Sequence, residues 1–271
     1  EYIPSFKVSK KTCNFISPKT ENKELFKIYL KNFIKKNKIN VIFPLSDREL
    51  EILAEEKKFY KEKKIDIIIS DLEFIKFTQN KILMAKFLKK NNFFSPEIIK
   101  YSKISKKLPV IKKKILGSGS VLQFIIKKKW QIPHIDEKNY FYSKYLPFEE
   151  YGIDILNDLN GNYVHSCCRK KILMRSGDTD RAKIINSKAF EIFAKKLSLI
   201  TKHVGIIDVD FIYKKKKIFI LDINARIGGG YPFTHEFGFN YFEKILSMTI
   251  NSKKKISFKI NPVSYTHLRA H

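Results

Sequence analysis

The run Ile220-Leu-Asp-Ile-Asn-Ala-Arg-Ile-Gly-Gly-Gly-Tyr-Pro-Phe233 constrains the fold more than any other stretch of this chain. It opens as an apolar strand and breaks at Gly228-Gly229-Gly230 and Pro232, residues that belong at the end of a strand rather than in its middle. Asp222, Asn224 and Arg226 stand at alternate positions, so they share one face. Unpaired charges in a hydrophobic core cost several kcal/mol. The face therefore suits a cavity that receives a divalent cation and phosphate.

A partner for this strand lies just upstream. Strands expected at 204–213 and 218–223 flank Lys214 to Lys217, and Asp208 and Asp210 share one face of the first. A three-residue loop sets Asp210 opposite Asp222 and Asp208 opposite Asn224; a four-residue loop shifts the pairing by one. Like charges placed directly opposite need an offsetting charge. Carboxylate and amide oxygens of this kind suit Mg²⁺. Surface acids on a solvated hairpin are the plainer alternative.

The remaining pattern is mixed. Leu25, Phe26, Tyr29, Leu30, Phe33 and Ile34 form a helix face. A strand at Ile39–Phe43, a helix capped by Asp47 and running to about Lys63, and a strand at Ile65–Ile69 read as a parallel α/β unit. The chain opens inside that unit, which reads as the loss of an earlier strand. Thr78 is the expected cap of a helix carrying Ile82, Leu83, Phe87 and Leu88. Four strands follow near 97–101, 108–113, 121–127 and 140–146. Strands at 154–158 and 163–174 are joined by the turn signal Asn160-Gly161, and helices are expected at 186–203 and 239–250.

Two further constellations carry chemistry. Lys113 precedes Gly117-Ser-Gly-Ser120, a loop whose backbone N–H groups could approach phosphate beside a cation. The loop is neither a Walker loop nor a dinucleotide fingerprint, since no Gly-Lys-Ser/Thr follows and a strand stands where a helix should begin. A plain turn is its alternative. The second is Lys144-Tyr-Leu-Pro-Phe-Glu-Glu-Tyr-Gly-Ile-Asp154, followed by Arg169 and Arg175. Strand, loop and acids could hold adenine and ribose, and the arginines could reach phosphate or an anionic substrate; the alternative is exposed polar residues.

Composition narrows the class. The 271 residues are 44% hydrophobic, enough for a substantial core. No apolar run nears the roughly 18 residues of a membrane span, and Glu1 to Ser5 show no secretory segment. Cys13, Cys167 and Cys168 fit neither zinc nor disulfide spacing, so a cytoplasmic setting is expected. The net charge is +27, yet only six of the 54 basic residues are Arg, and the lysines are scattered. That pattern fits compositional bias better than nucleic-acid binding. Residues 263–271 abandon the Lys/Ile/Asn bias and read as a non-native tail.

In their order these motifs resemble the ATP-grasp superfamily, and within it the stand-alone enzymes related to the large subunit of carbamoyl-phosphate synthase. The most specific segments are Asp208-Val-Asp-Phe-Ile212 and Leu221-Asp-Ile-Asn-Ala-Arg-Ile-Gly-Gly-Gly-Tyr-Pro-Phe-Thr-His235. Pro44 to Leu50 and Phe77-Thr-Gln-Asn-Lys81 add to them. The resemblance implies an α/β (α+β ATP-grasp) fold, in which a truncated parallel α/β pre-grasp domain (1–75) precedes two α+β subdomains that clasp ATP. These are a lid subdomain (76–140) and a metal-bearing subdomain (141–262).

The resemblance also implies roles. Lys81 and Lys113 would contact the nucleotide, and Gly117, Ser118, Gly119 and Ser120 would form the lid. Tyr145 and Leu146 would lie at the adenine hinge, and Glu150 would hold the ribose. Asp210, Asp222 and Asn224 would hold one or two Mg²⁺ (or Mn²⁺) ions. Arg226, with Asn224 and Arg175, would stabilise the transferring phosphoryl group. His235 would line the acceptor pocket or serve a structural turn. Ser143-Lys144, Ala225 and Lys114 depart from Gln-Glu, Pro and Pro in relatives. The activity implied is ATP-dependent ligation of a small-molecule carboxylate to an amine or thiol through an acyl phosphate, with no membrane or nucleic-acid partner and with room for a homodimer. A non-catalytic ATP-binding module and a basic nucleic-acid-binding protein are the alternatives.

Overall fold

Asn22 caps the first helix, in a computed structural model that describes residues 16–117, 123–134, 136–175, 178–250, 258 and 266–267. Helix α1 (Lys23–Asn37) buries Phe26 and Ile34. Strand β1 (Val41–Ile42) follows, then α2 (Asp47–Glu55), α3 (Lys57–Glu62) and β2 (Asp66–Ile67). The two strands pair in parallel, Val41 with Asp66 and Ile42 with Ile67, as a strand–helix–strand unit requires. The cap of α2 is Ser46, not Asp47. Its side chain and that of Glu49 form a capping box, which satisfies N–H groups that the first turn leaves open. The single helix expected to reach Lys63 is divided at Glu56.

Residues 72–90 form two helices, where the sequence pattern predicts one that begins after Thr78. Helix α4 (Leu72–Gln79) contains Thr78, whose hydroxyl donates to the Ile75 carbonyl at 2.9 Å instead of capping. Asn80 is the cap of α5 (Lys81–Lys90), accepting from the backbone of Ile82 and Leu83. The break puts Lys81 at the first helical position. Its own N–H donates to the Ile115 carbonyl at 3.0 Å, which ties the start of α5 to the neighbouring sheet.

That neighbour is a four-stranded antiparallel sheet of β3 (Ile98–Ile99), β4 (Val110–Lys114), β5 (Phe124–Ile126) and β6 (Tyr140–Lys144), in the order β3-β6-β4-β5. The four strands predicted from the sequence are all present. Ile99, Ile104, Val110, Ile126 and Tyr142 form their own small core.

The larger sheet carries six strands in the order β11-β10-β7-β8-β9-β12. These are β7 (Glu150–Asn157), β8 (Tyr163–Arg175), β9 (Asp178–Ile185), β10 (Gly205–Lys214), β11 (Lys217–Asn224) and β12 (Thr266–His267). Strand β9 is absent from the sequence reading, because 178–185 mixes charges with a short apolar end. Of the tail 263–271, only Thr266 and His267 are described, as β12. Helix α6 (Lys188–Thr201) covers one sheet face. Phe190, Phe193, Ala194 and Leu197 pack there in one cluster with Ile207, Val209, Phe211 and Ile223. Alternation along β10 sends Asp208 and Asp210 to the opposite face. Helices α7 (Tyr231–Glu236) and α8 (Tyr241–Thr249) cover one end of that face, where Tyr231, Tyr241 and Ile245 meet Ile206 and Leu156. The carboxylates occupy the remainder.

Candidate active site

The hairpin of β10 and β11 sets Asp210 opposite Asp222 and Asp208 opposite Asn224. The pairing is the one a three-residue loop would give, but the structure reaches it differently. Lys214 pairs with Lys217, so the turn has two residues, Lys215 and Lys216, both with positive φ (47° and 62°). A two-residue turn by itself would place Asp210 opposite Leu221. The register shifts between Asp210 and Phe211, and Phe211 pairs with Ile220. Leu221 is therefore the extra residue of a β-bulge, which restores the alignment of the two aspartates and increases local twist.

Beneath these residues lies a buried ion-pair network. Arg169, 1% exposed, donates to Asp154 Oδ2 at 2.7 Å and to Asp208 Oδ1 at 2.6 Å. Thr234 Oγ1 adds a third hydrogen bond to Asp154 Oδ2. Burial opposes the charge on Arg169, but Asp154 and Asp208 outweigh it and hold the guanidinium protonated. Burial pushes Asp208 up to about 7, with Asp210 and Asp154 adding repulsion against the pull of Arg169. The glycine run wraps this network closely. A Cβ on Gly228 would come within 2.2 Å of Asp208 Oδ2, and one on Gly230 within 2.2 Å of Arg169 Nε. Glycine is required at both positions because no side chain fits.

Each of the two opposed aspartates is held by a lysine from outside the hairpin. Lys81 Nζ lies 2.6 Å from Asp222 Oδ2, and Lys171 Nζ 2.6 Å from Asp210 Oδ1. Lys171 also lies 3.7 Å from Glu150 Oε2. Burial raises a carboxyl pKa, but Lys171 outweighs burial and holds Asp210 below the ordinary value. Burial likewise opposes the charge of Lys171, and Asp210 overcomes it. Lys113 has its pKa lowered by burial, with Lys81 adding repulsion against Asp222.

A cavity of about 140 Å³ joins these groups, lined by Lys113, Glu150, Lys171, Asp210, Asp222 and Asn224 among others. It shares Lys113 and Gln123 with a larger cavity of about 700 Å³, walled by Ser46 to Arg48, Asn80, Lys81 and Gly117. Arg226 bridges the two, donating to Asp47 Oδ2 at 2.7 Å and to the Ile227 carbonyl at 3.0 Å. The structure thus brings together Lys81, Lys113, Gly117, Glu150, Asp210, Asp222, Asn224 and Arg226. Ser118, Gly119 and Ser120 lie outside the described residues.

Tyr145 and Leu146 lie in the link between β6 and β7, hence between the two sheets, and neither lines these cavities. Arg175 is not brought to the site. It lies on the exposed end of β8, 3.8 Å from Asp180. Arg169, read from the sequence as a phosphate contact, is consumed by Asp154 and Asp208. His235 is exposed on α7 and lines neither cavity.

The ATP-grasp domain family model matches residues 78–230, more than half of the chain. The chain belongs to the ATP-grasp family. Solved structures of similar fold include carboxyaminoimidazole ribonucleotide synthase from Aspergillus clavatus, complexed with ATP. It has a TM-score of 0.71 and 15% identity over 95% of this chain and 71% of that one. The biotin carboxylase domain of 2-oxoglutarate carboxylase from Hydrogenobacter thermophilus has a TM-score of 0.69 and 13% identity, over 92% and 62%. An L-amino acid ligase from Bacillus licheniformis has a TM-score of 0.67 and 14% identity, over 86% and 62%. This ATP-grasp chain spans about six-tenths of the length of the last two. No curated protein sequence matches it.

In this ATP-grasp chain, Asp210, Asp222 and Asn224 present two carboxylates and an amide on adjacent strands, a donor set of the hard-oxygen type that Mg²⁺ takes. Among the described residues no three His, Cys, Asp or Glu side chains form a metal cluster, so the amide would be needed as the third protein oxygen. Lys171 is the site residue that the sequence reading missed. One lysine among 48 carries no distinguishing signal. Its position directly across from Glu150 emerges only from the pairing of β7 with β8, which sets Tyr151 opposite Lys170.

Proposed function

We propose that this chain is the ATP-binding and reaction core of a ligase that joins a small-molecule carboxylate to an amine, or to a thiol, through an acyl phosphate. The observation that carries this reading is the pairing of Asp210 with Lys171 and Asp222 with Lys81, across one hairpin and beside Arg226. Such a cluster of alternating charge suits a polyphosphate and its cation. Support comes from the names of similar folds. One solved structure holds ATP, a second is a dimer domain with MgADP and bicarbonate, and a third is an L-amino acid ligase.

In this reading Asp210, Asp222 and Asn224 hold Mg²⁺, or Mn²⁺, which offsets charge on the phosphoryl oxygens. Lys81 and Lys113 bind the phosphates, with the loop from Gly117 to Ser120 over them. Glu150 accepts hydrogen bonds from the ribose, and the link at Tyr145 and Leu146 borders adenine. Arg226, oriented by Asp47, donates to the transferring phosphoryl group and afterwards to the acyl phosphate. The carboxylate oxygen attacks the γ-phosphorus as ADP leaves. The acceptor then attacks the acyl carbon and phosphate departs. The larger cavity, walled by Ser46 to Arg48, is the assigned entry of the acid. The proposed units are 1–75, 76–140 and 141–262, in a cytoplasmic enzyme. Among the described residues no helix is long and apolar enough to cross a membrane.

Acid-dependent ADP release from the intact gene product, screened with pools of acids and amines, tests this directly. Asp222→Ala is expected to abolish ADP release while the protein still folds. Full activity in that variant, or ATP binding without turnover on any acid, would overturn the ligase assignment.

A further inference from the structure

Lys81 and Lys171 make matching contacts. Each ammonium lies 2.6 Å from one of the two aspartates that face each other across the hairpin. Lys81 comes from the start of α5 and Lys171 from β8, so the two are supplied by separate elements. Both side chains are largely withdrawn from solvent, at 6% and 8% exposed, which is rare for lysine. Lys171 lies in addition 3.7 Å from Glu150, which lines the same cavity.

A divalent cation on Asp210 and Asp222 competes with these ammoniums for the two carboxylates. A lysine displaced from its carboxylate inside a cavity must find another anion, since burying an unpaired charge is costly. The triphosphate supplies that anion. The stem of Lys171 is flexible and its ammonium is a compact point charge, so it can exchange one oxyanion for another with small rearrangement.

We propose that Lys171 is a third polyphosphate-binding lysine, which neutralises Asp210 before ligands bind and passes to the nucleotide's phosphates when the cation takes Asp210. This inference rests on the ligase reading for the nature of the ligand. It makes nucleotide and cation binding mutually dependent. The cation by itself must compete with two ammoniums, whereas the nucleotide draws them away. By linkage, each ligand then tightens the other.

The test uses the intact protein, Lys171→Met and Lys171→Arg, with ADP and Mn²⁺ as probes. ADP binding at saturating Mn²⁺ is followed by calorimetry, Mn²⁺ binding without nucleotide by electron paramagnetic resonance, and folding by thermal melting. For Lys171→Met, ADP binding is expected to weaken roughly tenfold or more, as for loss of a charged hydrogen bond. Mn²⁺ binding alone is expected to tighten, because Asp210 loses its competitor. Lys171→Arg is expected to recover much of the ADP affinity. A lysine with a merely structural role would lower the melting temperature and would not tighten Mn²⁺. Unchanged ADP affinity in Lys171→Met, or Mn²⁺ binding that weakens, overturns the proposal. Failure of the wild-type protein to bind ADP would instead overturn the underlying ligase reading, and this inference with it.

Discussion

At the residue scale, the floor of the site is governed by one arginine. Arg169 neutralises Asp154 and Asp208, both buried. Removing one member of a buried charge network leaves the others uncompensated, typically at a cost of about 3–5 kcal/mol. Arg169→Met is therefore expected to lower unfolding free energy by about that amount, read from urea denaturation; a loss below about 1 kcal/mol would contradict the network's role. Gly230→Ala acts on the same group by steric overlap. Its Cβ would meet the guanidinium, so it should also destabilise, whereas alanine at the exposed Gly117 has open space around it but a φ of +98° to accommodate. The sequence identified Asp222, Asn224 and the glycines as a unit. It did not separate Arg169, buried and structural, from Arg175, exposed and remote, because both occur in the same strand with the same chemistry.

At the element scale, the hairpin of β10 and β11 carries a conformational cost that can be removed. Lys215 and Lys216 both occupy the left-handed region in a two-residue turn, where Asn-Gly is strongly preferred and non-glycine residues cost about 1 kcal/mol or more each. Replacing Lys215-Lys216 with Asn-Gly is expected to raise stability by roughly 1–2 kcal/mol, measured as a shift in the urea midpoint. ADP affinity should stay unchanged, since the bulge at Leu221 keeps Asp210 opposite Asp222. A lower midpoint would mean that the turn is not the two-residue type. The same element illustrates the limit of pattern reading. Alternation along each strand was legible, but the register between strands was left to the turn length, and a bulge contributes one residue that no local pattern announces. Helix α4 was missed because Thr78, read as the cap of the next helix, lies inside it.

At the scale of the whole molecule, two histidines couple stability to pH. Burial lowers the pKa of His203 to about 3 and that of His165 to about 4. His203 lies in a buried polar cluster with Asn157 and Thr201, and His165 Nδ1 lies 2.8 Å from the Tyr241 hydroxyl. Both are neutral in the folded state, while in the unfolded chain each takes up a proton near pH 6.5. Between pH 6.5 and about 4 the unfolded state binds more protons, so stability falls as pH falls. From pH 7 to pH 5 each histidine is expected to contribute a loss of roughly 2 kcal/mol, offset in part by Asp208, whose raised pKa lets the folded state bind a proton over the same range. Urea midpoints at the two pH values check this, and His203→Gln should flatten the dependence; equal midpoints at pH 7 and pH 5 in the unaltered protein would contradict it. The same large-scale packing delivers Asp47 from α2 to Arg226 beyond the end of β11, joining the amino-terminal unit to the site.

The sequence by itself determined the alternation of Asp208 and Asp210, and of Asp222, Asn224 and Arg226. It also determined the break at the glycines, the amphipathic faces of α1, α5, α6 and α8, and the order of motifs that resembles the ATP-grasp superfamily. These are properties of neighbouring residues, fixed by period 2 and period 3.6 and by the special conformations of Gly and Pro. Only the tertiary structure decided which cations meet which carboxylates. Lys81 is 141 residues from Asp222, Lys171 is 39 from Asp210, and Arg226 is 179 from Asp47. In a chain with 48 lysines, charge alone cannot select among such partners. Burial and distance do, because an ion pair gains its strength only where water is excluded and the geometry is fixed.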